Sequence, residues 1–128
     1  MNPFQQLHDL CVEKKVSIAT AESCTAGLLA AKITSIPGAS SFFKGGIIAY
    51  QNDIKINHLG VSKSVIKEKT EVCAEVVQQM AQGVRNKFSA DFSVATSGYA
   101  GPTGGSELNP IGTVFIAISS KEKTISKR

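Results

Sequence analysis

Apolar residues recur at helical spacing in three stretches of the chain and run nearly unbroken in four others. Phe4, Leu7, Leu10 and Cys11 form one stripe, with Glu13, Lys14 and Lys15 outside it, which predicts a helix over residues 3–15. Val16 to Thr20 reads as a short buried strand. Leu28, Leu29, Ile33 and Ile36 then predict a helix from about 24 to 35, stopping before Pro37-Gly38. Phe42 to Tyr50 reads as a strand interrupted by Gly45-Gly46, where a bend or bulge is expected. Asn52-Asp53 can cap a short helix, and Ser62 reads as the N-cap of another over residues 63–68. The strongest helical pattern lies over 74–88. Val76, Val77, Met80, Ala81, Val84 and Phe88 share its inner face, while Gln78, Gln79, Gln82 and Arg85 lie outside. Phe92 to Thr96 is a strand. Ile111 to Ile118 is another, and its unbroken Val114-Phe115-Ile116-Ala117-Ile118 run predicts burial on both faces.

Strands alternating with helices predict an α/β layer architecture. Polar clusters follow three of the strands: Ser23 after the first, Tyr50 to Lys55 after the second, Ser97 to Gly105 after the third. Ligands in open α/β sheets gather at the carboxyl ends of strands. The segment Ser97–Pro110 is long for a connection inside a compact domain, which points to function. Its glycines match neither a Walker A motif nor a dinucleotide fingerprint. They allow close backbone approach to a phosphate, and equally a flexible turn.

Composition narrows the field. The chain has 128 residues, 42% apolar and 19% charged, typical of one globular domain rather than a disordered segment. No apolar run is long enough to cross a bilayer, and the start lacks a signal-peptide pattern, so no membrane association and a cytoplasmic location are expected. Cys11, Cys24 and Cys73 are odd in number and scattered, as free thiols in a reducing compartment would be. No pair has metal-ligand spacing, and His8 and His58 stand alone, so neither a metal nor another cofactor is expected. The formal charge of +4 sits mostly at the end, where Lys121, Lys123, Lys127 and Arg128 face only Glu122. The rest of the chain carries ten basic and nine acidic residues. That distribution, with eight aromatics, argues against a nucleic-acid partner. The basic tail reads as a solvated, frayed terminus.

Ala21-Glu22-Ser23-Cys24-Thr25-Ala26-Gly27 joins the first strand to the second helix. Ser23 there is open to two readings. It can cap the helix, as Ser commonly does. It can also place a hydroxyl beside outward-pointing backbone N–H groups able to hold a phosphate or an acyl-transfer oxyanion.

Five linked motifs decide between them. They are Ala21-Glu22-Ser23-Cys24-Thr25-x-Gly27, Pro37-Gly38-x-Ser40-x-x-Phe43, Gly45-Gly46-x-x-x-Tyr50-x-Asn52-x-x-Lys55, Ser97-Gly98-x-Ala100-Gly101-Pro102-x-Gly104-Gly105, and Pro110-x-Gly112-Thr113-Val114. In this order and spacing, across about residues 5–118, they resemble the CinA C-terminal domain family, whose characterised activity is nicotinamide mononucleotide deamidase. The resemblance implies a three-layer α/β/α sandwich around a mixed sheet. It further implies hydrolysis of the nicotinamide amide to nicotinate mononucleotide and ammonia. By position, Ser23 would be the nucleophile, Lys55 its general base and Tyr50 an assistant. Thr25, Gly27, Gly46, Asn52, Ser97, Gly98, Ala100, Gly101, Gly104 and Gly105 would bind the nucleotide substrate. The chemistry is consistent: a serine attacks an amide only when a neighbour takes its proton, and a lysine can do so only while neutral. Without the resemblance, a solvated Lys55 and a core Tyr50 are the simpler readings. Cys24 is the rival nucleophile, since a thiol at a helix N-terminus can have a lowered pKa.

The chain departs from the family pattern at Ala26, where glycine is usual, and at Tyr99, where an aliphatic residue is usual. The family's closing Gly-Asp-Arg motif and helix have no match before Arg128. The expectation is therefore one domain over 1–128, shortened at its end, that associates as a homo-oligomer to cover the last strand. The alternative function is a nucleotide-binding or assembly module without turnover.

Overall fold

A computed structural model describes residues 2–128. Its elements run α1 (Pro3–Lys14), β1 (Ile18–Glu22), α2 (Leu28–Ile33), a 3-10 turn (Ala39–Ser41), β2 (Phe43–Ile48), α3 (Asn52–Leu59), α4 (Lys63–Lys69), α5 (Ala74–Phe88), β3 (Phe92–Gly98), β4 (Val114–Ser120) and β5 (Thr124–Lys127). The strands form one mixed sheet in the order β2-β1-β3-β4-β5. β2, β1 and β3 are mutually parallel, and β4 and β5 join antiparallel. The fold is α/β, as the alternation of elements predicts.

β1 is buried along its whole length because helices cover both of its faces. Ala19 and Ala21 face α3 and α5, in a core with Leu59, Val76, Val77, Met80 and Val84. Ile18 faces α1 and α2, in a second cluster with Cys11, Ile33 and Phe42. No described helix is long and apolar enough to cross a membrane.

Two glycines permit close approach between neighbouring elements. A Cβ on Gly46 would lie 2.3 Å from Thr20 Oγ1, so β2 and β1 approach closely there. A Cβ on Gly83 would lie 1.9 Å from the carbonyl oxygen of Leu59, so the end of α3 rests directly on the backbone of α5.

Four expectations need correction. The second helix begins at Leu28, not at about 24, because residues 23–27 form a turn with Ala26 at φ +50° and Gly27 at φ +101°. β4 is not buried on both faces. Ala117 packs under α5, but Ile116 and Ile118 remain 45% and 44% exposed, beside exposed Phe92 and Ile125. The basic tail is not a frayed end. Its Thr124–Lys127 segment pairs with β4 as an edge strand, and the Arg128 guanidinium donates to the carbonyl of Leu108 at 2.8 Å. Nor do the polar residues of α5 simply face solvent. Gln78 donates to Ser126 Oγ, Gln82 to Thr124 Oγ1 and Arg85 to Ser119 Oγ, while Gln79 accepts from the backbone N–H of Ser62. These bonds hold the β4–β5 hairpin and the start of α4 to α5.

Candidate active site

The parallel order β2-β1-β3 brings three carboxyl ends side by side, and the three polar clusters of the sequence meet there. They enclose a cleft of about 420 Å³. Ser23 and Cys24 enter it from the turn after β1. Tyr50, Gln51, Asn52 and Lys55 enter from the start of α3, Glu71 from the α4–α5 connection, and Ser97 to Gly101 with Thr103 from the loop after β3.

The turn carrying Ser23 is built around Glu22, the last residue of β1 and 1% exposed. Its side chain falls on the α2 face of the sheet. The carboxylate accepts from the backbone N–H of Leu29 at 2.8 Å and of Ala30 at 3.0 Å, and from the Thr25 hydroxyl at 2.6 Å. An acidic group on the first-turn N–H donors satisfies them and complements the helix dipole. The residue at the N-cap position of α2 is Gly27, which has no side chain to serve. Capping by Ser23 is thereby corrected: Glu22 does that work from the strand, and the Ser23 hydroxyl is left to the cleft. The backbone of Ser23 extends the ladder, its N–H donating to the carbonyl of Thr96 at 3.1 Å.

Lys55 lies on the first turns of α3 and is 1% exposed. Its Nζ donates to the backbone carbonyl of Tyr50 at 3.0 Å. Burial lowers its pKa below the ordinary lysine value, and the nearby Glu71 carboxylate and Cys24 partly oppose that shift. Lysine is almost never fully buried without a charged partner. Here one donor goes to a carbonyl, and no hydrogen bond joins Nζ to Ser23 Oγ. The Tyr50 side chain is 68% exposed. Lys55 is therefore not solvated and Tyr50 is not a core residue. It is the carbonyl of Tyr50, not its phenol, that holds the lysine.

Cys24 lines the same cleft. Burial raises its thiol pKa, and this outweighs the opposing pull of the Cys24 and Thr25 backbone N–H groups and of Lys55. A thiol so shifted is a poorer thiolate source.

The predicted substrate-binding residues divide. Asn52, Ser97, Gly98, Ala100 and Gly101 line the cleft; Thr25, Gly27, Gly46, Gly104 and Gly105 do not. Thr25 is bonded to Glu22 and to Thr96 Oγ1 at 2.7 Å. Gly27 allows the turn into α2, and Gly46 packs on Thr20. Gly104 and Gly105 have φ of +94° and +83° and fold the loop against Tyr99 and Ile111. Ser97 lines the cleft, but its hydroxyl donates to the carbonyl of Glu71 at 2.9 Å. Asn109 Nδ2 donates to the next carbonyl, that of Val72, at 3.1 Å. The two bonds tie the glycine loop to the α4–α5 connection.

Sequence reasoning missed Glu22 and Glu71. For Glu22 a signal existed, an acid just ahead of a helix whose first turn has no acid of its own. For Glu71 there was none, because its place depends on a contact with Ser97 far along the chain.

The sequence matches the family profile of the CinA C-terminal domain over residues 2–128. The chain belongs to the CinA C-terminal domain family. A putative competence-damage inducible protein of Halothermothrix orenii is 46% identical over 114 residues, 89% of this chain and 28% of that protein. A CinA-like protein of Fervidobacterium nodosum is 49% identical over 114 residues, with the same coverage. The chain thus spans less than a third of these relatives. Among solved structures, competence/damage inducible protein CihA of Agrobacterium tumefaciens superposes with a TM-score of 0.94 at 33% identity, covering 97% of this chain and 76% of that one. The competence damage-inducible protein A of Klebsiella pneumoniae gives 0.93 at 32%, covering 98% and 78%.

Proposed function

We propose that this CinA-family domain hydrolyses the amide of nicotinamide mononucleotide, with Ser23 as nucleophile and Lys55 as general base. The observation that carries the reading is the buried Lys55. Its amine is held by a carbonyl and shifted toward the neutral form in the cleft that also contains Ser23. Ser23 Oγ attacks the amide carbon while its proton passes to the Lys55 amine. The lysine then returns that proton to the leaving nitrogen, which departs as ammonia and leaves an acyl-serine. Water, activated by the same amine, attacks the acyl group and releases nicotinate mononucleotide. The backbone N–H groups of Cys24 and Thr25, in the turn that carries Ser23, are the donors we assign to the oxyanion. The exposed phenol of Tyr50 lies at the mouth, where it can contact the ring or relay a proton. Ammonia release from nicotinamide mononucleotide tests the proposal. It is expected in the wild type and lost by at least about a hundredfold in Ser23→Ala and Lys55→Met; full activity in either variant sinks the assignment.

A second reading is a nucleotide-binding module without turnover. The absence of a hydrogen bond between Ser23 Oγ and Lys55 Nζ favours it. Calorimetric binding of nicotinamide mononucleotide with no ammonia release would establish it over the first.

A further inference from the structure

Among the described residues, two charged side chains line the cleft: Lys55 and Glu71. The proposed reaction uses Lys55 as a neutral amine, which leaves the Glu71 carboxylate as the formal charge of the working site. Glu71 is not a loose surface acid. Its own carbonyl accepts from Ser97 Oγ, and the adjoining Val72, 1% exposed, accepts from Asn109. Its carboxylate has no ion-pair partner, the salt bridge of this region being Lys69 with Glu75. A half-buried carboxylate on a segment tethered to the cleft wall, near the Lys55 amine but in no ion pair with it, attracts a cation and repels an anion.

We propose that Glu71 is a specificity-determining residue of this cleft, selecting a positively charged pyridinium carboxamide over a neutral ring of the same shape. The inference rests on the amidohydrolase reading for the identity of its ligand. The ring of a nicotinamide nucleotide bears a fixed positive charge beside the reacting amide, so Glu71 supplies the complement that neither Ser23 nor the hydroxyl and amide side chains can. Tyr50 and Tyr99, both on the cleft wall, add aromatic surfaces that also favour a cation. The phosphate finds no basic side chain among the cleft residues besides Lys55, which places it toward the mouth or on the backbone of the glycine loop. Charge complementarity at a partly buried position is expected to give about tenfold selectivity, or roughly 1.4 kcal/mol.

The test compares two probes. One is nicotinamide mononucleotide; the other carries a neutral benzamide ring, carbon-linked to the same ribose phosphate. Dissociation constants are measured by calorimetry in Ser23→Ala, so that nothing is consumed, and again in Ser23→Ala/Glu71→Gln. The first protein should favour the cationic probe about tenfold, and the second should bind both alike, with the neutral probe unchanged. Glu71→Asp should keep most of the preference. Glu71→Ala repeats the comparison if the glutamine variant does not fold. A preference that survives loss of the carboxylate, or is absent at the outset, overturns the role of Glu71. The amidohydrolase reading still stands if the wild type releases ammonia. Cation-selective binding without ammonia release does the reverse, sinking the reaction and leaving the selection intact. Binding of neither probe overturns the role of Glu71, and if the wild type also releases no ammonia it overturns the reaction as well.

Discussion

Gly83→Ala adds one methyl group in mid-helix and should nevertheless disable the cleft. Taken alone, replacing a helical glycine by alanine stabilises by about 1 kcal/mol. Here the new methyl group would sit 1.9 Å from Leu59 O and 2.7 Å from Leu59 C. Ordinary contact begins near 3.4 Å, so the end of α3 must retreat from α5 by roughly 1.5 Å. The atoms struck are backbone, which puts the overpacking in the upper part of the usual range, about 2–3 kcal/mol, and leaves a net loss of about 1–2 kcal/mol. In a chain of this size the melting temperature should fall by about 4–8 °C. The functional effect should be larger. Lys55 lies one turn before Leu59 on the same helix, so the retreat should shift its amine relative to Ser23 on the neighbouring turn. A misplacement of about 1 Å can reduce a rate by a hundredfold.

The assays are a thermal melt followed by circular dichroism and kcat/KM for ammonia release. Gly60→Ala is the control. A Cβ there meets nothing, but φ is +71°, so strain of about 1–2 kcal/mol should lower the melting temperature with little change in kcat/KM. An unshifted melting temperature for Gly83→Ala would refute the steric argument. A lowered melting temperature with kcat/KM within about threefold of wild type would show that this packing does not position Lys55.

Lys55→Met should abolish turnover yet hold or raise the melting temperature at neutral pH, since it removes a buried amine and keeps its volume; a lower melting temperature would mark the lysine as structural. Because the folded-state pKa of Lys55 is lowered, the unfolded chain holds the extra proton between that pKa and the ordinary lysine value. Wild-type stability should therefore rise with pH across that window, a slope that Lys55→Met removes in melts taken at increasing pH. Activity should likewise rise with pH as Lys55 deprotonates, and Glu71→Gln should move that limb to lower pH, because it takes away the carboxylate that favours the ammonium; Cys24 also faces this amine. Cys24→Ala should retain most activity, and a loss matching that of Ser23→Ala in folded protein would make the thiol the nucleophile. We also retain self-association as a proposal: the open face with Phe92, Ile116, Ile118 and Ile125 should be covered by a second copy, light scattering at micromolar concentration should show a dimer or larger, and Ile118→Lys should return it to monomer.

What could be read from the sequence was whatever repeats along it. The α5 stripe from Val76 to Phe88 and the apolar runs of β1 and β3 are local patterns, and they gave the elements and the α/β class. Ser62 as cap of α4 was legible for the same reason, since its hydroxyl accepts from Val65 three residues on. The β5 strand was not, because its four residues carry little apolar pattern and depend on β4 for their hydrogen bonds. The start of α2 was misread because the cap is a strand residue reaching forward over the turn, and local rules look for it at the junction itself. The site divides in the same way. Three polar clusters at three strand ends were visible, but only the parallel order β2-β1-β3 makes them neighbours, and strand order is not written in any one segment. That order also decides what Ser97 does. At the end of β3 its hydroxyl reaches the carbonyl of Glu71 and holds that residue at the cleft wall. A residue read as a ligand for substrate is thus bonded to the residue that gives the cleft its negative charge. Ser97→Ala should accordingly blunt the selectivity for the cationic probe, by freeing the segment that carries Glu71, more than it weakens binding of the neutral one. The two dissociation constants in Ser23→Ala/Ser97→Ala measure this directly. Equal weakening of both probes would mean that Ser97 meets the substrate itself.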